Sequence, residues 1–250
     1  MRQSLVDYTL HLADNTLILA QQNSAWCAHG PILEQDIAIT NISLDLLGQS
    51  RNFYQYAAIL TGNNTTEDTL AYLRDNRDFK NCLLVEQDNG DWGKTILRQF
   101  LFSNYQYLLY EELQHSKDEQ LAAIASKALK EVTYHLRWSS EWVIRLGDGT
   151  NESHQRMLNA VKELWSYVDE LFIMSDYENE LLKDNIAVNM AALKDKWYKK
   201  NEEIFSESTL SIPSNIFAQK GGKQGIHTEQ LGFILAEMQF MQRAYPNSGW

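Results

Sequence analysis

The chain has 250 residues and a formal net charge of −11, so it lacks the long-range attraction of a basic protein for nucleic acid or an anionic membrane. No run approaches the ~18 apolar residues of a membrane-spanning helix, and only 3 prolines interrupt a sequence rich in helix formers. Cys27 and Cys82 lack metal-type spacing and the N-terminus lacks a secretory signal, so we expect free thiols and a soluble, cytoplasmic protein.

The first two predicted helices span about residues 4–23 and 33–60, and a Gly30-Pro31 break separates them. The first helix carries Asp14 within its apolar stripe. The second has apolar residues over more than one face, namely Ile37, Ile39, Ile42, Leu44, Leu46 and Phe53. Because a helix that is apolar over a broad arc is usually covered on most sides, we expect this one to be largely buried.

Further helices are predicted along the rest of the chain, at about residues 67–74, 92–115, 119–146, 151–174, 190–205 and 228–243. The segment before residue 190 is predicted to be extended, and residues 211–226 to be a loop. No composition shift marks a second domain. We therefore predict one all-α domain over residues 1–250, an antiparallel bundle of four long helices with additional C-terminal helices.

Four-helix bundles often hold two irons, with one Glu from each of two helices and Glu-x-x-His from each of the other two. The i,i+3 spacing places both ligands on one helix face. Here the first helix offers only Asp14, and the second offers Asp45 with Gly48 where the histidine is needed. The third long helix has no acidic residue between Asp91 and Glu111. The sequence therefore predicts that this chain holds no metal by itself.

The fourth long helix has Glu131 and His135, which are one residue too far apart for the ligand pattern. With the three positions above, they are interpreted as vestigial metal-site positions, some of which form a hydrogen-bonded network instead. A satisfied core histidine is an equal alternative for His135. One correctly spaced pair, Glu112 and His115, ends the third helix, where a solvated helix end is the simpler interpretation. The alternative function is an independent di-iron or di-manganese oxidoreductase that uses the two Glu/His pairs, Glu112 with His115 and Glu131 with His135.

The glycine-rich segment at residues 221–225 invites a phosphate-binding interpretation, but it lacks the spacing and the Lys-Ser/Thr ending of a P-loop. His227 follows it, and no nucleophile stands beside it in the sequence. We expect a shaped loop that caps the last helix or touches a partner. Thr228 is the predicted N-cap of that helix.

Several motifs carry a resemblance to one known family: YTLHLADN (8–15), NISLDLLGQSRN (41–52), LLVEQDNG (83–90), KEVTYHLR (130–137), GGKQGIHTE (221–229) and LAEMQ (235–239). On these motifs the chain resembles the PaaC family, the C subunits of bacterial phenylacetyl-CoA epoxidases. The resemblance runs from near residue 5 to Trp250.

The resemblance implies a ferritin-like four-helix bundle that serves as a non-catalytic structural subunit in a monooxygenase complex of aerobic phenylacetate degradation. The di-iron cofactor is expected in a sister A subunit (PaaA-like). That subunit epoxidises the ring of phenylacetyl-CoA with O₂ and electrons from a separate reductase. This chain is expected to hold no cofactor and no catalytic residue, and to keep the A subunit in shape.

The resemblance also implies substrate contacts in two segments, which comprise Asp78, Phe79, Lys80 and Asn81 in the first and Asn179, Glu180 and Leu181 in the second. Arg77 and Lys80 would face CoA phosphates, and Phe79 would pack on an organic group. A solvated loop is the alternative for the first segment. A free-standing CoA-thioester binding protein is a third candidate function.

Overall fold

The computed structural model describes residues 1–214, 216–246 and 248, and every regular element within them is helical, which confirms the all-α prediction. The chain divides into two compact units, which are each described by themselves. Unit 1 comprises Met1–Asp88 and Gly221–Trp250, and unit 2 comprises Asn89–Lys220. One domain over residues 1–250 stays a prediction, and its positions Asn215, Asn247, Gly249 and Trp250 lie outside the described residues.

The helices agree well with the predicted pattern for the long elements and less well for the short ones. In chain order they are α1 (Arg2–Ser24), α2 (Leu33–Thr61), α3 (Glu67–Tyr72), α4 (Trp92–Leu113), α5 (Glu119–Gly147), α6 (Asn151–Leu164), α7 (Asp176–Leu182), α8 (Lys194–Glu207), α9 (Glu229–Met238) and α10 (Phe240–Ala244). The four long helices α1, α2, α4 and α5 begin and end within two residues of their predicted bounds. They form the two helix pairs that a ferritin-like bundle requires.

In unit 1, α1 and α2 pack along their lengths as an antiparallel pair. Arg2 Nε at the start of α1 donates to the Leu60 carbonyl near the end of α2 at 2.9 Å. α1 is buried over most of its circumference, and the buried side chains include His11, Asp14 and Asn15. Because burying a polar group without a partner costs free energy, these side chains need hydrogen bonds inside the protein.

The prediction that α2 is largely buried is wrong for one of its faces. Ile39, Ile42, Leu46 and Phe53 are fully buried, whereas Ile37 and Leu44 remain exposed over half or more of their surface. The 3.6-residue period turns the two sets of side chains to different faces of the helix. Within the described part of the chain, only the first of these faces is covered.

In unit 2, α4 and α5 pack side by side, with α6 and α8 against them. The predicted helix at 151–174 is wrong beyond Leu164, where 3₁₀ turns follow at Trp165–Tyr167 and Asp169–Phe172. The rings of Trp165 and Phe172 lie 5.8 and 5.4 Å from the buried ring of Trp197 on α8. This aromatic cluster accompanies the departure from regular α-helix, so packing outweighs helix propensity here.

The segment predicted to be extended before residue 190 contains α7, which the sequence reading missed. Ser175 Oγ accepts from the Glu178 backbone N–H at 3.3 Å, and the Glu178 carboxylate accepts from the Ser175 N–H at 2.7 Å. This reciprocal pair is a capping box, and its S-x-x-E pattern was visible in the sequence.

The last predicted helix, at 228–243, is divided at Gln239 into α9 and α10. Gln239 Nε2 donates to the Ala71 and Arg74 carbonyls at 3.2 and 3.1 Å, so this junction is fixed to the end of α3 inside unit 1. Among the described helices, none is long and apolar enough to cross a membrane.

Candidate functional site

Asp14 is fully buried on α1 and is held by groups from three other segments of unit 1. Tyr54 on α2 donates its hydroxyl to Asp14 Oδ1 at 2.5 Å, and the Lys80 backbone N–H donates to Oδ2 at 2.8 Å. Arg74 Nη1 donates to Oδ2 at 3.1 Å, and Arg74 Nη2 donates to Oδ1. Both carboxylate oxygens are therefore engaged, and the charge is paired with a guanidinium.

Arg74 uses its remaining donors on nearby oxygens. Its Nε donates to the Leu70 carbonyl at 2.5 Å, Nη1 to the Asp78 carbonyl at 2.9 Å and Nη2 to the Tyr54 hydroxyl at 3.1 Å. Its guanidinium carbon also lies 4.2 Å from the ring centroid of Phe79, a cation–π contact. Burial lowers the pKa of Arg74, but its surroundings, chiefly the charge and the hydrogen bonds of Asp14, outweigh burial, so the pKa is raised overall. Arg74 is thus a fixed positive charge beside Asp14.

Glu86 is the centre of a second buried network in unit 1. The Thr228 backbone N–H and hydroxyl donate to its Oε1 at 2.7 and 2.8 Å. His227 Nδ1 and Asn81 Nδ2 meet its Oε2, each at 2.8 Å. Thr228 stands at the predicted N-cap position of α9, but its side chain makes no cap hydrogen bond and bonds Glu86 instead.

His227 connects the two networks and carries a proton on both ring nitrogens. Its Nδ1 faces the Glu86 carboxylate, and its Nε2 lies 2.9 Å from the Phe79 carbonyl oxygen. Because both neighbours only accept, both nitrogens must donate, which makes the ring an imidazolium. Burial lowers the pKa of His227, but the hydrogen bond and charge of Glu86 and the Phe79 carbonyl raise it overall. His227 is therefore held between two acceptors that favour its protonated form.

The glycine-rich segment forms a shaped loop with a 3₁₀ turn at Gly222–Gln224. A Cβ on Gly222 would overlap the Asn81 carbonyl oxygen, and one on Gly225 would overlap the Arg77 carbonyl oxygen. Gly225 also has a φ of 78°, in the left-handed region that favours glycine. The loop thus lies directly on the backbone of residues 77–83, as a shaped loop should, and its contact with a partner stays a prediction.

The vestigial metal-site positions have different surroundings. Asp14 forms a network, as hypothesised, but with Tyr54 and Arg74, which the sequence reading did not select. Asp45 is half-buried on α2, and Gly48 is exposed there with open space around it. These positions do not fit a di-iron centre. The Arg74 guanidinium already pairs with the Asp14 carboxylate, and Gly48 has no side-chain atom that could bind a metal. In the described residues no three His, Cys, Asp or Glu side chains are grouped to hold a metal ion.

The remaining candidate ligands belong to unit 2. His135 is fully buried on α5 with its ring 6.3 Å from that of Tyr134, and Glu131 is half-buried one turn earlier. Glu112 and His115 are exposed at the end of α4, where Glu112 lies 3.8 Å from Lys196. This exposure agrees with a solvated helix end.

The two predicted substrate segments lie in different units, and each mixes exposed with enclosed residues. In the first, Asp78 is exposed, Lys80 pairs with Asp7 at 3.5 Å, and Phe79 and Asn81 are fully buried in the networks described above. In the second, the exposed residues are Asn179 and Glu180, while Leu181 is buried. The expected packing of the Phe79 ring on a ligand is not supported, because Arg74 covers that ring. The substrate role of both segments stays a prediction.

Sequence reasoning missed Tyr54, Arg74 and Glu86 as members of these networks. For Glu86 a signal existed, because a lone carboxylate follows the apolar run Leu83-Leu84-Val85 and buried charges need partners. Arg74 gave no such signal, since it ends a short helix in a mixed polar segment. The motifs at 8–15, 83–90 and 221–229 each supply residues to the two networks.

Replacing Asp14 by Asn should lower the free energy of unfolding by about 3–5 kcal/mol, because it leaves the buried Arg74 charge without its partner. Urea denaturation followed by circular dichroism measures this loss. The matched control is Asp7→Asn, which removes the partly exposed pair with Lys80 and should cost less than about 1 kcal/mol. Equal losses for the two variants would contradict the central role of Asp14.

The raised pKa of His227 makes the stability of the protein depend on pH. The folded state binds this proton more tightly than the unfolded chain, where the histidine pKa is near 6.5. The stabilisation is therefore fully present below about pH 6.5 and is lost as pH rises through the folded pKa. We expect the stability gap between wild type and His227→Gln to shrink across that window in urea titrations. Exposed His29→Gln should show no such gap, and a constant gap for His227→Gln would refute the imidazolium assignment.

Comparison with known proteins gives the family of the chain. The family described as phenylacetic acid catabolic protein matches residues 1–250. The chain is also similar to the C subunit of the 1,2-phenylacetyl-CoA epoxidase of Escherichia coli K12, with 47% identity over 246 residues, which cover 98% of this chain and 99% of that relative. The chain therefore belongs to the phenylacetic acid catabolic protein family.

Proposed function

We propose that this chain is the C subunit of a phenylacetyl-CoA epoxidase and acts there as a non-catalytic structural partner of the A subunit. The observation that carries the proposal is the 47% identity to the C subunit of such an enzyme over nearly the full length of both chains. In this proposal the di-iron cofactor resides in the A subunit, which epoxidises the ring of phenylacetyl-CoA. The complex works in the cytoplasm in aerobic phenylacetate degradation.

The electrostatics of unit 1 support a non-catalytic role. A metal ion at Asp14 would have to displace or repel Arg74, whose positive charge is held in place by five hydrogen bonds from its own donors and by the Phe79 ring. A buried, paired carboxylate is already neutralised, so it offers little to a second cation. The alternative of an independent di-iron or di-manganese oxidoreductase gains no support from the exposed Glu112 and His115.

The two buried networks suit a supporting role. They tie α1 and α2 to residues 70–86 and to the C-terminal segment, and they give these segments one defined arrangement. A satisfied buried network specifies a single packing, because any other leaves charges unpaired. In the proposal, this fixed body holds the A subunit in its active shape.

Co-expression with the A subunit tests the structural role. We expect a tagged form of this chain to co-purify with an untagged A subunit, with iron following the A subunit and absent from this chain purified alone. Elemental analysis of both preparations measures this. Failure to co-purify would refute the structural role, and near-stoichiometric iron in this chain alone would favour the oxidoreductase alternative instead.

A contribution to CoA-thioester binding is part of the proposal. Arg77 is exposed, and Lys80, three residues later, is half-buried with its ammonium nitrogen 3.5 Å from Asp7 Oδ1, so this segment of unit 1 supplies two cations. Phosphate oxygens accept strong charge-assisted hydrogen bonds from such groups. The exposed Asp78 of the same segment would oppose an anion, so the cations have to provide the attraction.

Replacing both Arg77 and Lys80 by Gln should weaken the affinity of the assembled complex for phenylacetyl-CoA by about tenfold, because two charged donors are lost. Isothermal titration calorimetry on the complex gives the Kd. Arg137→Gln, an exposed arginine of unit 2, is the control and should leave it unchanged. An unaltered Kd for the double variant would remove this residue pair from the binding site.

A further inference from the structure

Unit 2 contains a groove that is lined by α4, α5 and α8. Its volume is about 520 Å³, and its apolar lining comes from Leu108 of α4, Leu136 and Ile144 of α5, and Ile204 of α8. Leu108 and Ile204 are buried, whereas the two residues of α5 are half-buried. Pockets of this size with an apolar lining and a few polar groups commonly hold small organic molecules.

The groove is elongated along α5. Its lining residues on that helix run from Thr133 to Ile144, which is about 17 Å at the rise of an α-helix. The residue after α8, Ser208, lies against Gly147 at the end of α5, so Ile204 and Ile144 belong to the same end of the groove. The groove therefore suits a linear ligand whose apolar chain points to that end.

Two lysines of α8 supply positive charge at the other end of the groove. Lys196 and Lys200 both line it and lie one helical turn apart. Their ion-pair partners are Glu112 at 3.8 Å and Glu203 at 3.4 Å, and all four side chains are at least 40% exposed. Because exposed pairs contribute little, and neither glutamate lines the groove, the lysines can bind an anion that enters it.

The remaining charges of the groove lie on α5. Arg137 and Glu141 line it one helical turn apart, at positions where opposite charges attract each other. Their charges offset each other, so the two lysines of α8 leave the groove with a net positive charge. The groove is therefore complementary to an anionic group on an apolar ligand.

Asn104 of α4 adds a buried acceptor to the cationic end. It lines the groove and is only 2% exposed, and its Nδ2 donates to the Trp197 carbonyl at 3.1 Å. That contact identifies the other amide atom as the oxygen, and Oδ1 accepts no hydrogen bond from the described residues. Trp197 stands between Lys196 and Lys200 on α8. A donor on the ligand that satisfies Asn104 therefore has to lie close to the anionic group.

We infer that this groove binds a medium-chain hydroxy acid, an amphipathic carboxylate with a hydroxyl group near its carboxyl end. The carboxylate accepts hydrogen bonds from Lys196 and Lys200, and the hydroxyl donates to Asn104 Oδ1. The alkyl chain lies along the groove toward Ile144 and Ile204, where its burial removes apolar surface from water. Each chemical feature of the ligand thus has its own counterpart in unit 2.

The inference is independent of the proposed function. The groove contains none of the residues assigned to CoA-thioester binding, and all of its lining belongs to unit 2. Binding of a hydroxy acid and co-purification with the A subunit are therefore separate observations, and either can fail without the other.

Isothermal titration calorimetry of the full chain with sodium 3-hydroxydecanoate tests the site. We expect a Kd below about 1 mM, which Lys200→Gln raises by about fivefold because a charged donor is lost. Lys199→Gln is the matched control and should leave the Kd unchanged, since Lys199 is exposed on the same helix outside the groove. A wild-type chain that does not bind overturns the inference, and so do equal effects of the two variants.

Sodium decanoate, which lacks the hydroxyl group, tests the role of Asn104. The wild-type chain should bind it about fivefold more weakly than 3-hydroxydecanoate, because one hydrogen bond is missing. Asn104→Ala should abolish this preference, and we expect it to fold because Asn201 Nδ2 also donates to the Trp197 carbonyl, at 2.7 Å. Equal binding of both acids by the wild type overturns the assignment, as does a preference that persists in Asn104→Ala.

Discussion

The ion pair between Asp14 and Arg74 is the contact on which the rest of unit 1 depends. It takes a carboxylate from the middle of α1 and a guanidinium from the residue just beyond α3, and it adds Tyr54 of α2 to the same cluster. The Arg74 carbonyl also accepts from Gln239 and Arg243 at the C-terminal helices. Because both charges are buried, each segment that satisfies them is held in one position.

The sequence predicted the long helices because their apolar periodicity and the turns between them are local properties. It failed where long-range packing decides, as in the 3₁₀ turns beside Trp197 and the exposed face of α2. For the candidate site it selected Asp14 as a polar residue in an apolar stripe. It could not select Arg74, because the partner of a buried charge is set by the fold rather than by spacing along the chain.

A polar interior whose charges are neutralised by the protein differs from one that needs a metal ion to neutralise them. A metal-binding bundle keeps several carboxylates together, and their mutual repulsion is relieved only by the ion. In unit 1, Asp14 is balanced by an arginine and Glu86 by a protonated histidine and hydrogen-bond donors. The charges of both carboxylates are therefore balanced by groups of the protein itself.

The Glu86 network joins parts of the chain that are synthesised far apart. Its acceptor precedes His227 and Thr228 by 141 and 142 residues, and the whole of unit 2 is encoded between them. During synthesis on the ribosome, α1 and α2 therefore emerge long before the segment that completes their unit. Unit 2 is contiguous, so all of it has been synthesised before the segment that completes the Glu86 network of unit 1.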